Sequence, residues 1–254
     1  MKLYSLYFSP TGGTLKAARL LSSTWNCEIT EVDLSDRKID TGSLKFEKDD
    51  ICFVSVPSFG GRVPQFIIPK LKSMTGNGCR AIIVTAFGNR AFDDTLLELK
   101  NTLEPQGFVC VGAAAAVTQH SIAPCYGTGR PDADDEKELH DFSVKLKAAT
   151  ESDTAAPVSV PGKYPYKETG KSLIKPSADD KCIRCGICSS HCPVNAIPED
   201  DPSATDSDKC ISCLQCVHIC PQKARHVNPD ILKAVEQKLK SVCSDRKGNS
   251  LYIG

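Results

Sequence analysis

The sequence predicts an α/β fold. A doubly wound, five-stranded parallel sheet is expected over residues 1–150, followed by a small cysteine-rich α+β unit over residues 179–228. Three observations carry this. Five apolar-rich runs, "KLYSLYF" (2–8), "CEITEV" (27–32), "ICFVSVP" (51–57), "RAIIVTA" (80–86) and "FVCVGAAAAV" (108–117), read as strands mostly buried on both faces. Helix-patterned stretches separate most of them, and that alternation implies parallel strands covered on both sides. A four-cysteine phrase is then printed twice, as "DKCIRCGICSSHCP" (180–193) and "DKCISCLQCVHICP" (208–221).

The first helix is expected in "TLKAARLLSSTW", where Leu15, Ala18, Leu21 and Trp25 fall at helical spacing. "PQFIIPKLKSM" begins with Pro64, a favoured first helical residue, and Pro69 should kink it. "DDTLLELKNTL" and "DADDEKELHDFSVKLKAA" complete the alternation, the latter with acids at the end where the helix dipole favours them. Residues 151–178 hold Pro157, Pro161, Pro165 and Pro176 without a sustained period, and read as a linker. "GKS" (170–172) resembles the end of a nucleotide-binding P-loop, but Pro165 stands where that motif needs glycine. Residues 229–254 read as a C-terminal helix and tail. Asn228 is the N-cap, Pro229 lies in the first turn, and Ile231, Leu232, Val235, Leu239 and Val242 share one face.

The 254 residues are 41% hydrophobic, enough for a sizeable core. Lys plus Arg equals Asp plus Glu at 31 each, so a basic footprint for nucleic acid is missing. "MKLYSLYFSPTGG" lacks an apolar export segment with a cleavage site, and no run approaches the roughly 20 apolar residues of a membrane span. A soluble, cytoplasmic protein is the expectation. In that setting the 14 cysteines speak for metal or redox chemistry rather than disulfides.

The first unit supplies Cys182, Cys185, Cys188 and Cys192, and the second Cys210, Cys213, Cys216 and Cys220, each as C-x2-C-x2-C-x3-C-P. Two-residue gaps let a tight loop aim three thiolates at one small object. Pro193 and Pro221 push the preceding cysteine out of helical geometry, steering it toward the neighbouring site. In runs of this kind the fourth cysteine ligates the other cluster of a pair. The spacing therefore predicts two [4Fe–4S] clusters with crossed ligation. Cys182, Cys185, Cys188 and Cys220 would hold one, and Cys210, Cys213, Cys216 and Cys192 the other. Zinc is the competing ligand, but its sites pair two C-x2-C elements across a long gap and leave a third cysteine at x2 without use. Of the remaining cysteines (Cys27, Cys52, Cys79, Cys110, Cys125, Cys243), Cys27, Cys52 and Cys110 fall in predicted strands as small core residues. His191 and His218 within the units read either as tuners of a cluster or as surface side chains. "PEDDP" (198–202) reads either as an acidic docking rim or as a solvated loop.

"SPTGGT" (9–14) follows a strand and opens a helix, where unpaired N–H groups and the dipole favour a phosphate. Gly12 and Gly13 permit close backbone approach, and Ser9, Thr11 and Thr14 add hydroxyls. The loop lacks a Walker lysine and is not G-x-G-x-x-G, which disfavours a nucleoside triphosphate and a dinucleotide. Here the chain resembles flavodoxins, whose phosphate loop reads Ser/Thr-x-Thr-Gly-x-Thr. Ser9, Thr11, Gly12 and Thr14 match each fixed position. Two further loops fit the resemblance. "PSFGGR" (57–62) takes the place of the aromatic-glycine loop beside the flavin, with Pro57, Ser58, Phe59, Gly60 and Gly61 as candidate contacts. "FGNRAF" (87–92) resembles the Gly-Asp-x-x-Tyr loop on the ring's other side. Gly88 matches, Asn89 replaces Asp and Phe92 replaces Tyr. Taken singly, each loop is an ordinary turn at a sheet edge; together they imply FMN.

As a whole the chain resembles the flavodoxin–ferredoxin fusion proteins of anaerobic microbes, in which a bacterial-type 2[4Fe–4S] ferredoxin follows a flavodoxin-like domain. The resemblance implies electron transfer between FMN and two [4Fe–4S] clusters, to or from redox partner proteins, with fusion holding the carriers at high effective concentration. Two alternatives stay open at this point. One is a flavin-dependent reductase of a small substrate, with His120 or Arg62 near the ring; the other is a ferredoxin docking module without flavin.

Overall fold

Strand β1 (Leu3–Tyr7) leads into α1 (Gly13–Leu21), β2 (Ile29–Asp33), β3 (Ile51–Pro57), α2 (Ile67–Lys72), β4 (Arg80–Phe87), α3 (Thr95–Leu103), β5 (Val109–Val117) and α4 (Ala133–Glu151) in the computed structural model, which describes residues 1–152, 156–170 and 172–254. These strands pair in parallel in the order β2-β1-β3-β4-β5. That is the flavodoxin-like doubly wound order, whose ligands bind beyond the carboxyl ends of the strands.

Side-chain alternation explains why both faces are covered. Along β3, Cys52, Val54 and Val56 enter one core with Ile67 and Leu71 of α2 and Leu96, Leu99 and Leu103 of α3. Ile51 and Phe53 enter the other, with Ala17 and Leu21 of α1 and Leu139 and Leu146 of α4. A strand buried on both sides needs this unbroken apolar run, because successive residues serve opposite layers. Strand β2 is the exception, with Thr30 and Glu31 exposed, as suits an edge. Cys27 lies just before it and is exposed, so it is not the core residue expected from sequence. Cys52, Cys79 and Cys110 are buried, and burial pushes the Cys79 and Cys110 thiols up to about 12.

The helices follow their local chemistry with one correction. Pro69 does not kink α2, because the helix starts at Ile67 and places Pro69 in its first turn, where no intrahelical N–H bond is lost. Pro64 instead opens a preceding turn, with Ile67 N–H donating to the Pro64 carbonyl at 2.9 Å. Asp132 caps α4 by a reciprocal arrangement with Asp135, ahead of three acids in the first turn.

The cysteine-rich unit contains β6 (Ser177–Ala178), the one-turn helices α5 (Ile187–Ser190) and α6 (Gln215–His218), and β7 (Arg225–His226), which pairs antiparallel with β6. Helix α7 (Pro229–Cys243) follows, capped by the Asn228 side chain as expected. Its inner face drifts from the expected one. Ile231, Leu232 and Val235 pack inward, but Cys243 is 1% exposed while Val242 is 45% exposed, since 3.6 residues per turn carry the stripe one position further.

The chain then returns to the first domain. Strand β8 (Ser250–Ile253) pairs antiparallel with β5, from Gly112 opposite Ile253 to Ala115 opposite Ser250, giving the sheet a sixth strand that the sequence reading did not anticipate. Polar side chains hold the return. The buried Asn89 amide donates to the carbonyls of Cys243 (2.7 Å) and Asp245 (3.0 Å) and accepts from Lys247 N–H (3.1 Å). Asn249 accepts from Val117 N–H and donates to Asp135 and Glu138, while Arg130 grips Asp135 and the Lys247 carbonyl. The cysteine-rich unit is thus held between α4 and β8, tethered to the sheet at both ends.

The stretch expected to be a linker (151–178) includes residues 153–155 and Lys171 of the "GKS" sequence, which lie outside the described residues. Its described part is laid along the sheet edge. Val158 is fully buried and its N–H donates to the Cys110 carbonyl; Lys163 and Lys167 N–H groups donate to Asp94. Arg62 forms a two-pronged pair with the buried Glu98, donates to the Lys167 carbonyl, and stacks over Tyr166 at 4.7 Å.

Two outcomes follow. Asn89→Ala strands three tail groups and is expected to lower stability by about 2 kcal/mol, measured by urea unfolding of the flavin-free chain, with faster amide exchange in residues 243–254. Arg62→Ala leaves Glu98, whose side chain is 6% exposed, without its cation; a loss of about 3 kcal/mol and faster proteolysis near Lys167 are expected.

Candidate redox centres

The duplicated cysteine phrase has a duplicated backbone. Positive φ recurs at matching places: Arg184 (53°) and Ser212 (58°), Gly186 (75°) and Leu214 (63°), Asn195 (54°) and Lys223 (51°). A bulky residue such as Leu214 rarely adopts that region, and glycine at the matching position is the unstrained solution. Burial of the Leu214 side chain with Ile174 and Val227 offsets the strain. The fourth cysteine of each unit accepts the same hydrogen bond, Ala196 N–H to Cys192 Sγ (3.2 Å) and Ala224 N–H to Cys220 Sγ (3.3 Å). Burial raises the Cys220 thiol, but N–H groups of Ala224, Arg225, Gln222 and Lys223 outweigh it and bring its pKa below the ordinary value. The half-buried Cys213 has less help, and desolvation pushes it up to about 12.

Two cavities divide the eight cysteines across the repeat. Cys182, Cys185, Cys188 and Cys220 line one, with Gly186, Pro221 and Arg225 among its other walls. Cys192, Cys210, Cys213 and Cys216 line the other, with Pro193, Leu214 and Gln215. Counted to their mouths the volumes are similar, ≈ 320 and ≈ 340 Å³. Among the described residues no three His, Cys, Asp or Glu side chains are gathered as for a single metal ion. The sulfurs surround spaces instead of converging on a point. Four thiolates around each space, with backbone N–H groups already turned to sulfur, fit a four-iron cluster.

The two cavities differ in setting. Around the first, Cys185 is exposed, and Ile183 and Ile187 are 63% and 36% exposed. Around the second, Ile211 and Cys213 pack against the sheet core that Phe59 and Phe92 also border. Lys175 Nζ donates to the Cys210 carbonyl and Ser212 Oγ to the Ile174 carbonyl, fixing that loop from the incoming strap. His191 and His218 are exposed; Glu199 and Asp200 of the acidic loop are exposed too, and Asp201 is held by Ser203 and Arg184.

The three sheet-edge loops adjoin one another. Ser9 Oγ accepts from Leu15 N–H (2.9 Å), shaping the entry to α1. Gly12 is exposed with φ 86°, and a Cβ there would meet nothing within 4 Å, so its surface is open to a ligand. Gly13 lies against Thr118, and its N–H and that of Thr14 stand in the first helical turn, where the helix supplies no acceptor. Thr11 is half-buried and Thr14 buried. This fits a phosphate cradle.

Phe59 packs edge-on against Phe8 at 6.0 Å and Phe92 lies tilted against Phe87 at 5.3 Å, both half-buried. Half-buried Pro57 ends β3, and Ser58 Oγ shares a hydrogen bond with Thr95 Oγ1 at the start of α3 (2.8 Å) and reaches the Phe92 carbonyl of the third loop (3.4 Å). Gly60 faces Thr169 of the strap; a side chain at Gly61 would collide with Asp93, and one at Gly88 with His120. The Asn89 side chain belongs to the C-terminal tail, leaving only its backbone for a ligand. Arg62 is bound to Glu98, and His120 Nδ1 accepts from Ile122 and Ala123 N–H groups. Sequence reasoning missed Arg225, a wall of the first cavity, although it breaks the repeat where Ile197 stands in the first unit.

Residues 175–238 match the family of the 4Fe-4S dicluster domain. No curated protein matches the chain. Similar solved structures include a flavodoxin of Streptococcus pneumoniae TIGR4, 14% identical over 58% of this chain and 99% of that one, TM-score 0.43. An archaeal flavodoxin is 12% identical over 60% and 100%, TM-score 0.42. The Megasphaera elsdenii flavodoxin in its two-electron reduced form is 21% identical over 56% and 98%, TM-score 0.37. The fold assignment rests on the strand order itself. The chain joins a flavodoxin-like α/β sheet to a 4Fe–4S dicluster domain.

Proposed function

We propose that this chain is an electron carrier that relays electrons between FMN at the sheet edge and redox partner proteins by way of two [4Fe–4S] clusters. The observation that supports it most is the crossed partition of cysteines, in which each cavity draws three from one unit and one from the other. When bound, each cluster exchanges one electron and FMN one or two.

The chain's own residues do the rest. Cys182, Cys185, Cys188 and Cys220 hold the outer cluster, whose rim of exposed Ile183 and Ile187 offers an apolar landing for a partner. Cys192, Cys210, Cys213 and Cys216 hold the inner cluster, and the packing of Cys213 and Ile211 on the sheet core sets it toward the flavin loops. The loop from Ser9 to Thr14 binds the FMN phosphate. Pro57 to Gly61, with Gly88, the Asn89 backbone and Phe92, border the ring. The relay order is therefore flavin loops, inner set, outer set. Engagement of Arg62 by Glu98 and Tyr166 favours a carrier over a reductase, since that cation is not free for a substrate.

Anaerobic purification with iron, sulfide and flavin quantification tests this reading. About eight iron atoms and one FMN per chain are expected from two four-iron sets and one phosphate loop. Cys192→Ala should lower iron toward about four and remove the inner cluster's EPR signal on reduction, leaving that of the outer set. Zinc without sulfide, or loss confined to the outer cluster, would contradict it.

A further inference from the structure

The repeat offset, from Cys182 to Cys210, is 28 residues, and it aligns Arg225 with Ile197. Both are 2% exposed. An apolar side chain has thus been replaced, in one copy only, by a buried cation. Its surroundings are carbonyls and hydroxyls: Nη1 donates to Pro202 (2.7 Å) and Ala204 (3.5 Å), and Nη2 to Pro176 (3.2 Å), Ala204 (3.4 Å) and the Thr205 hydroxyl. Among the described residues no carboxylate pairs with it, and Nε is buried with no partner at all. An arginine is always charged, and a buried charge without a counter-charge is strongly unfavourable.

The missing negative charge has an obvious place. Arg225 lines the first cavity, and Nη1 lies 3.9 Å from Cys188 Sγ of the outer set. A four-iron cluster held by four thiolates is an anion and gains one more negative charge on reduction. A fixed cation beside such an anion favours its reduced form, and net charge and hydrogen bonds to sulfur are among the determinants of cluster potential.

Resting on the two-cluster reading above, we propose that Arg225 is the buried counter-charge of the outer set of cysteines, raising the reduction potential of the cluster held there. It acts on the outer cluster through charge, not as a ligand.

The test compares the full chain with Arg225→Gln, neutral and polar, and Arg225→Lys, which keeps the charge. Iron and sulfide are counted first, and midpoint potentials are then read by EPR-monitored redox titration. The outer cluster's potential should shift to a more negative value in Arg225→Gln and stay near the parent's in Arg225→Lys. If Arg225→Gln fails to retain clusters while Arg225→Lys does, the need for charge is likewise supported. Equal shifts in the two variants, unmoved potentials at full iron content, or loss of clusters from both would overturn the proposal and leave Arg225 a packing residue. Absence of iron and sulfide from the parent chain would instead reject the cluster reading itself.

Discussion

The return of the chain to its first sheet is the constraint on which the arrangement depends. Strand β8 pairs with β5 after the cysteine-rich unit has been traversed, so that unit is anchored on both sides. A unit hung from one flexible tether would sample a volume set by tether length, and its centres would meet those of the sheet only part of the time. Here Asn89 and Asn249 fix the outgoing chain near the ends of β4 and β5, while Asp94 and Arg62 hold the incoming strap. Electron transfer falls steeply with separation, so the proposed relay would gain most from fixed distance.

Within the cysteine-rich unit, duplication extends to backbone torsions and N–H···S bonds. Equivalent local geometry gives each copy one outlying cysteine that belongs to the neighbouring cavity, so neither cage closes without the other copy. The two sites are nonetheless unequal. One is rimmed by exposed Ile183 and Ile187, the other pressed against the sheet core through Ile211 and Cys213, and Arg225 breaks the repeat between them. The local motif was duplicated; the environments were not.

The parts legible from sequence are those with local or periodic causes. Strands β3, β4 and β5 announce themselves because burial on both faces demands unbroken apolar runs, and α4 because Asp132 and its acids suit a helix start. The cysteine spacing is local as well, since proline and two-residue gaps act over a few residues. What escaped has long-range causes. "SLYI" becomes a strand only because β5 offers an open edge far away in sequence. The proline-rich strap has no period, yet single hydrogen bonds to Asp94 order it. Asn89 reads as a flavin-loop residue by position, but its amide suits the tail carbonyls that arrive more than 150 residues later. Arg225 was visible as a mismatch between the copies, and only burial gives that mismatch meaning.

The proposed relay stands or falls on whether electrons pass within one molecule. Flash photoreduction of anaerobic, fully loaded protein, followed at the flavin and iron–sulfur absorbances over a tenfold range of protein concentration, measures this directly. A relaxation between the two absorbances whose rate is the same at every concentration is predicted. A rate that rises in proportion to concentration, showing that the centres exchange electrons only when separate molecules collide, would contradict it.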